Sequence, residues 1–181
     1  EEMTVTLSTL PPPVSAVCTP VKPPHRRHAY KREPAEIARL RLTAESFLVA
    51  RGSGERPGRT VIAGYHWFGD WGRDTMIALP GLCLTTGRHA DAAEILRTFA
   101  AARRRGLLPN LFIESGEGEA FNTVDASLWF FDAVYQYYQA TNDRALVEEL
   151  RPALDEIVQC YRDGTDFGIR MAEDGLIDAS A

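Results

Sequence analysis

Apolar side chains recur with a helical spacing in five segments of the chain. Three of these segments are amphipathic, because their apolar residues fall on one face: 34–52, 89–106 and 143–164. The two that lie between them, 73–87 and 123–141, are apolar on most sides. Amphipathic helices lie at a protein surface, and helices that are apolar all round are buried. The alternating order therefore predicts two concentric layers of helices, an outer and an inner one.

The spacing of apolar residues also predicts the core faces of the three amphipathic segments. We expect these positions to be buried: Ile37, Leu40, Ala44, Phe47 and Leu48; Ala92, Ile95, Leu96 and Phe99; and Leu146, Leu150, Leu154, Ile157 and Tyr161. Gly52 is expected to end the first helix, and Pro80 is expected to kink the second. The arginines at 103–105 suit the C-terminal end of the third, where the helix dipole favours positive charge. The predicted fold class is all-α.

Residues 1–34 differ in composition from the rest of the chain and hold seven of its eleven prolines. Proline fixes its own backbone and has no amide hydrogen, so we expect an extended linker here rather than a helix. The alternating segment 4–10 fits one strand, which would suit the end of a preceding β domain. The chain begins with Glu1 rather than methionine, and we therefore expect it to be part of a longer protein.

The charge and cysteine content exclude several classes of protein. The net charge is −5, so there is no overall positive field to attract nucleic acid, and the basic runs at 25–28 and 103–105 are expected to be solvated. Three scattered cysteines, Cys18, Cys83 and Cys160, suit reduced thiols better than a disulfide framework. The sequence has no CxxC or HExxH pattern and no apolar run of membrane-spanning length. We expect a cytoplasmic protein without a cofactor, metal, nucleic-acid partner or membrane partner.

The segment 64–75, GYHWFGDWGRDT, concentrates aromatic and charged side chains before the first inner helix. A sugar ring has hydroxyls at its edge and C–H groups on its faces. A sugar site therefore needs flat aromatic rings beside polar groups that can form two hydrogen bonds at once. This segment supplies both, through Trp67, Phe68, Asp70, Trp71, Arg73 and Asp74. The alternative is a structural loop whose rings pack into the core and whose Asp74 caps the next helix. His66 is interpreted as a polar loop residue, since one histidine makes neither a metal site nor a triad.

Asp125, Trp129 and Asp132 have the spacing of one face of the second inner helix. Apolar neighbours would raise the pKa of the Asp125 carboxyl and keep it protonated, as a general acid requires. The spacing supports an alternative equally well, because Asn122 as N-cap with Asp125 three residues later resembles a capping box. For Asp132, a structural hydrogen bond is the favoured interpretation.

A second long loop, 108–122, precedes this inner helix and carries several polar residues: Asn110, Glu114, Glu117 and Glu119. Long loops on a rigid scaffold commonly carry binding and catalytic residues. From composition alone, a solvated acidic loop is the favoured interpretation of these residues.

Several motifs, in order along the chain, resemble the glucosidase domain of glycogen debranching enzymes, the amylo-α-1,6-glucosidases: TVIAGYHWFGDWGRDTMIALPGL, TGR, GLLPN, FNTVDASLWFF and DGTDFGIRMAEDGL. The resemblance covers about residues 36 to 178. It implies an (α/α)6 barrel that hydrolyses, with inversion, the α-1,6-linked glucose stub at a branch point of glycogen or limit dextrin. It also implies that Trp71, Arg73 and Asp74 line the pocket for the terminal glucose, and that Asp125 is the general acid.

The predicted site therefore has one catalytic residue, Asp125, and an α-glucan as its partner. Its substrate-binding residues are predicted to be Trp67, Phe68, Asp70, Trp71, Arg73, Asp74, Asn110, Asn122 and Trp129. The chain supplies about five helices of the barrel, so 35–181 is expected to be its first half. The general base of the family is a glutamate in the later half, and we expect it outside this chain.

Two other functions remain open on the sequence. A non-catalytic glucan-binding module would keep the pocket and lack the chemistry, and a helical interaction protein would have neither. Unpaired inner helices would also expose apolar faces, which favours self-association.

Overall fold

The structure of the chain is a computed structural model, and it describes residues 34–51, 58–113, 119–121 and 123–179. This part of the chain is mostly helical, as predicted. It contains α1 (Ala35–Glu45), α2 (Gly72–Leu79), α3 (His89–Ala101), α4 (Ala126–Thr141) and α5 (Arg144–Asp163), and a π-helical segment, Pro80–Leu84, follows α2 directly. The proline-rich linker predicted for 1–34 lies almost entirely outside the described residues, as does the strand predicted for 4–10.

Three short antiparallel hairpins interrupt the helices of the described chain. Strand β1 (Leu48–Arg51) pairs with β2 (Gly58–Val61), β3 (Leu111–Phe112) with β4 (Glu119–Ala120), and β5 (Arg170–Met171) with β6 (Ile177–Asp178). The all-α prediction therefore holds for most of the described chain and is wrong at these three hairpins.

The first predicted helix ends earlier than expected, at Glu45 instead of Gly52. The neighbouring residues Leu48 and Val49 are both buried, and they pair with Val61 and Thr60, which are buried too. A surface helix can bury only one face, whereas a covered strand can bury consecutive residues. This explains why the predicted helix gives way to β1.

The predicted core face of the first helix is confirmed in part, since Leu48 is buried in β1 and Phe47 packs against the core. Helix α1 has no buried residue, and Ile37 and Leu40 are exposed. Buried or partly buried ion pairs hold the end of α1 instead: Arg88 contacts Glu45 and lies 3.1 Å from the carboxylate of Asp91, which also pairs with Arg59.

The core lies among α2, α3, α4 and α5, and the predicted faces of α3 and α5 are confirmed. All predicted positions on these faces are buried except Leu154, which is partly buried. Helix α2 packs against α4, α3 packs against β2 and α4, and α5 contacts α3 and α4. The two segments predicted as inner helices are therefore direct neighbours.

The predicted kink at Pro80 and the predicted end of the third helix change in detail. At Pro80 the α-helix gives way to the π-helical segment, in which the buried Cys83 lies. Helix α3 ends at Ala101, before the arginines at 103–105, but the guanidinium of Arg103 still donates to the Ala100 carbonyl at 2.6 Å. Positive charge therefore stabilises this helix end from the following turn.

Candidate functional site

The first turn of α2 and the start of α4 lie side by side, and a charged pair joins them. Arg73 donates from Nε to the Asp125 Oδ1 atom at 2.7 Å, and its Nη2 atom lies 2.7 Å from the same oxygen. The two side chains are 47% and 41% exposed. The pair therefore faces open space, although both residues are fixed to the ends of packed helices.

Thr123 completes this group, which we call the Arg73–Thr123–Asp125 cluster. Its hydroxyl donates to Asp125 Oδ1 at 2.6 Å and accepts from Arg73 Nη2 at 2.7 Å. Thr123 is buried, so it can fix the orientation of the two more exposed partners. Thr123 was not predicted as a site residue, although its position two residues before an aspartate is typical of local side-chain hydrogen bonding.

The electrostatics of Asp125 differ from the expectation. Desolvation raises the pKa of its carboxyl, but hydrogen bonds from Thr123 and Arg73 and the charge of Arg73 lower it, and the net shift is downward. The carboxyl is therefore ionised at neutral pH in this structure. The expectation that apolar neighbours would keep it protonated is wrong here, because the arginine outweighs them.

The local fold around Arg73 depends on a close backbone approach. A Cβ atom at Gly72 would overlap the carbonyl oxygen of Pro109, and the Gly72 amide donates to the Asn110 carbonyl at 3.0 Å. The Asn110 amide in turn donates to the Ala120 carbonyl at 2.7 Å. The start of α2 is therefore attached to the loop that leads into α4, and this attachment positions Arg73 beside Asp125.

The observed starts of α2 and α4 show whether Asp74 and Asp125 cap their helices. Helix α2 begins at Gly72 with Trp71 in the N-cap position, so Asp74 lies within the first turn and is not the cap. Asp125 occupies the N-cap position of α4, but its side chain makes no capping hydrogen bond. Its carboxyl is directed to Arg73 instead, as the distances above require.

Asp70 lies apart from this exposed group. Its carboxylate is 1% exposed, and both of its oxygens accept hydrogen bonds from Arg51, one of them from Nη2 at 2.6 Å. The Arg51 guanidinium also lies over the ring of Phe112, with Arg51 Cζ 4.2 Å from the ring centroid. Asn110 is likewise buried. These two predicted binding residues therefore lie inside the loops that support the site.

The aromatic residues before α2 form an exposed turn, whose Phe68 amide donates to the Gly64 carbonyl at 3.0 Å. Trp67 is 86% exposed, and Phe68 and His66 are exposed as well. The ring of Tyr65 packs at 5.6 Å from that of Phe47, which anchors the turn. The alternative that all these rings fold into the core is wrong for Trp67 and Phe68.

The other predicted site residues are distributed as follows. The amide of Trp129 donates to the Asp125 carbonyl at 2.8 Å, and its partly exposed ring lies one helical turn from that residue. Trp71 is partly buried, and Asp132 is exposed on α4. Asp74 is exposed and, with Arg73, lines a cavity of about 360 Å³.

The structure does not describe three of the residues singled out in the sequence: Asn122, Glu114 and Glu117. The side chain of Glu119 also lies outside the described residues.

The described residues contain no group of three or more His, Cys, Asp or Glu side chains placed to hold a metal ion. Their helices are also too short or too polar to cross a membrane.

Comparison with known proteins identifies the family. A family model described as amylo-alpha-1,6-glucosidase matches residues 42–181. The chain belongs to the amylo-α-1,6-glucosidase family. This confirms the family predicted from the sequence motifs, and the matched range includes the whole Arg73–Thr123–Asp125 cluster.

One curated protein that this chain resembles is the glycogen debranching enzyme of Saccharomyces cerevisiae. The two are 40% identical over 73 residues, which is 40% of the chain and 5% of the yeast protein. The chain thus spans about one twentieth of the relative it matches.

Proposed function

We propose that this chain provides the acid side of an active site that hydrolyses α-1,6-linked glucose stubs on glycogen or limit dextrin, with inversion at the anomeric carbon. The observation that carries the proposal is the Arg73–Thr123–Asp125 cluster, which is half-exposed at the start of two packed helices in a chain of this family. An acidic group and a guanidinium fork in one open site suit both proton transfer and the binding of hydroxyls.

In the proposed reaction, Asp125 donates its proton to the glycosidic oxygen as the bond from that oxygen to the anomeric carbon breaks. A base on the opposite face takes a proton from water, and the water oxygen bonds to the anomeric carbon. The two carboxyl groups of an inverting enzyme are about 6.5–9.5 Å apart, which leaves room for that water. We propose that this base is a glutamate outside the 181 residues.

Asp125 must gain a proton before it can act, since Arg73 and Thr123 lower its pKa in the free chain. We propose that binding of the terminal glucose raises this pKa and so allows Asp125 to take up a proton. The glucose hydroxyls would accept hydrogen bonds from Arg73, and the bound sugar would exclude water from the carboxyl. Both effects raise the pKa of a carboxylic acid.

Trp71, Arg73, Asp74 and Trp129 are proposed to contact the terminal glucose, and Asn122 keeps the binding role that the sequence predicts. Trp67 and Phe68 would offer exposed ring faces to the glucan. We propose a structural role for Asp70 and Asn110, since both are buried in the supporting loops.

We also propose an architecture and a cellular location for the chain. The described helices would form part of an (α/α)6 barrel, and reduced cysteines suit a cytoplasmic protein. Helices α2 and α4 expose the apolar residues Ile77, Leu128, Trp129 and Tyr135. Such a surface favours self-association of the isolated chain, and light scattering that detects a monomer at high concentration would contradict it.

A glucan-binding module without catalysis is the second candidate function. The lowered pKa of Asp125 favours it, because a general acid must carry a proton. Calorimetry with a branched oligosaccharide, combined with an assay of glucose release, separates the candidates. Binding without release by a parent protein that includes the base would support the module, and the absence of binding would exclude both candidates.

A further inference from the structure

A second and larger cavity, of about 560 Å³, adjoins the Arg73–Thr123–Asp125 cluster. Phe121 and Thr123, which precede α4, line it together with Asp166, Phe167 and Ile169, which follow α5. The Thr123 hydroxyl bonds directly to Asp125. This cavity, which we call the Phe167 cavity, therefore lies one side chain away from the proposed acid.

The turn that presents Phe167 is held by its own backbone. The Thr165 amide donates to the Ile169 carbonyl at 3.0 Å, and the Gly168 amide donates to the Thr165 carbonyl at 3.2 Å. Gly168 has a φ of 71°, which suits glycine better than other residues. The Tyr161 hydroxyl also donates to the Val124 carbonyl, so the end of α5 is tied to the start of α4. Both walls of the cavity are thus fixed to packed helices.

The walls of the Phe167 cavity combine aromatic and charged groups. Phe167 is 46% exposed, which leaves part of its ring available for stacking. The Asp166 carboxylate lies 3.1 Å from Arg104 Nε and 2.9 Å from Arg105 Nε, and both arginines are well exposed. A flat ring beside paired hydrogen-bonding groups is suited to a sugar, because it matches the C–H faces and the hydroxyls.

We infer that the Phe167 cavity binds the glucose residue on the far side of the cleaved bond, in the α-1,4-linked chain that carries the stub. This inference rests on the proposed function, in which Asp125 acts on the oxygen between two sugars. The smaller cavity includes Arg73 and Asp74, and the Phe167 cavity includes Thr123. The two cavities thus touch different members of the cluster. One can hold the terminal glucose while the other holds its neighbour.

The test uses the 181-residue chain labelled with ¹⁵N and two sugars, glucose and a maltotriose that carries one α-1,6-linked glucose. In the unaltered chain, the branched sugar is expected to shift the amide signals of 166–169 and those around Arg73, and glucose only the latter. Phe167→Ala is expected to weaken binding of the branched sugar about tenfold and to leave glucose binding unchanged. Phe167→Trp should retain the affinity. The matched control is Tyr135→Ala, ten residues or about 15 Å along the helix beyond Asp125.

The outcomes separate this inference from the proposed function. If both sugars shift only signals around Arg73, and Phe167→Ala binds normally, the cavity is not a sugar site and the proposed function stands. If neither sugar shifts any signal, the proposed function fails and the inference fails with it. Melting temperatures of the variants distinguish lost contacts from lost folding, and the signal shifts in the unaltered chain need no variant.

Discussion

Two of the arginine–aspartate pairs in the described chain, Arg51–Asp70 and Arg73–Asp125, have the same chemistry in different surroundings. In the Arg51–Asp70 pair both carboxylate oxygens are engaged, and the carboxylate is fully enclosed. In the Arg73–Asp125 pair the arginine bonds to a single oxygen, and both side chains are half-exposed. Asp70 and Arg73 are only three residues apart in the sequence. The comparison indicates that burial, more than residue type, decides which pair supports the fold and which can meet a ligand.

The largest effect is expected from Asp70→Ala. The substitution leaves the Arg51 charge without its partner in a nearly buried position, and such a loss lowers the free energy of unfolding by about 3–5 kcal/mol. Urea denaturation measures this loss in the free energy of unfolding. Asp132→Ala, on the exposed surface of α4, is the control and should change stability by less than about 0.5 kcal/mol. A loss no larger than that of the control would show that the Arg51–Asp70 pair does not support the fold.

Asp125→Asn is expected to affect the reaction and not the fold. In an active protein that includes this chain, glucose release should fall about 10²-fold or more, because an amide has no proton of suitable acidity. The melting temperature should change little, since exposed ion pairs contribute little to stability. Asp132→Asn is the control for activity.

The isolated 181-residue chain should release no glucose with either residue at position 125, because the base is proposed to lie outside it. Strong glucose release by the purified chain would overturn that part of the proposal. One of the glutamates Glu114, Glu117 and Glu119, or a second copy of the chain, would then be the base to test.

Arg73→Lys is expected to weaken binding of a branched oligosaccharide about tenfold, the scale of one lost charged hydrogen bond. Lysine keeps the charge, but it cannot reproduce the planar fork that contacts Thr123 and Asp125. Arg97→Lys is the matched control, since Arg97 pairs with Glu149 through two bonds of 2.8 Å on the surface. Calorimetry measures the affinity of each variant for the oligosaccharide, and the melting temperature measures its stability. Equal losses in both would mean that Arg73 is structural.

The smallest effect concerns pH. The pKa of Asp125 is lower in the folded chain than its unfolded value of about 3.9, so the folded state favours the ionised form. The resulting stability is present above about pH 4 and is lost as the pH falls through the folded pKa. Its size should stay below about 1 kcal/mol, because the pair is exposed. The difference in unfolding free energy between the chain and Asp125→Asn should therefore shrink from pH 7 to pH 3. A difference that grows would contradict this assignment.

The predictions from sequence succeeded where one periodic pattern extends over several turns. The buried faces of α3 and α5 follow from a spacing that repeats three or four times. Strands β3 to β6 have two residues each, which is too short for any periodicity. The end of α1 was missed for another reason, since Leu48 continues the helical spacing and is buried by a strand partner farther along the chain.

Two residues of the candidate site were predictable from the motifs, but their environment was not. The motifs pointed to Arg73 and Asp125, which the fold brings together from 52 positions apart. They could not reveal that Asp70 is enclosed, because its partner Arg51 lies 19 residues away in a strand that was predicted as helix. The sign of the Asp125 pKa shift was missed because it depends on the distance to Arg73.

The close contact between Gly72 and Pro109 limits how this part of the sequence can vary. Every amino acid other than glycine carries a Cβ, so any codon change that replaces Gly72 displaces the neighbouring loop. Gly81, which has open space around it, is free of that limit. A related chain without Asp125, and so without the proposed acid, would still need Gly72 in order to fold. In an alignment of related chains, a glycine at this position therefore records a shared architecture and carries no information about the chemistry proposed for position 125.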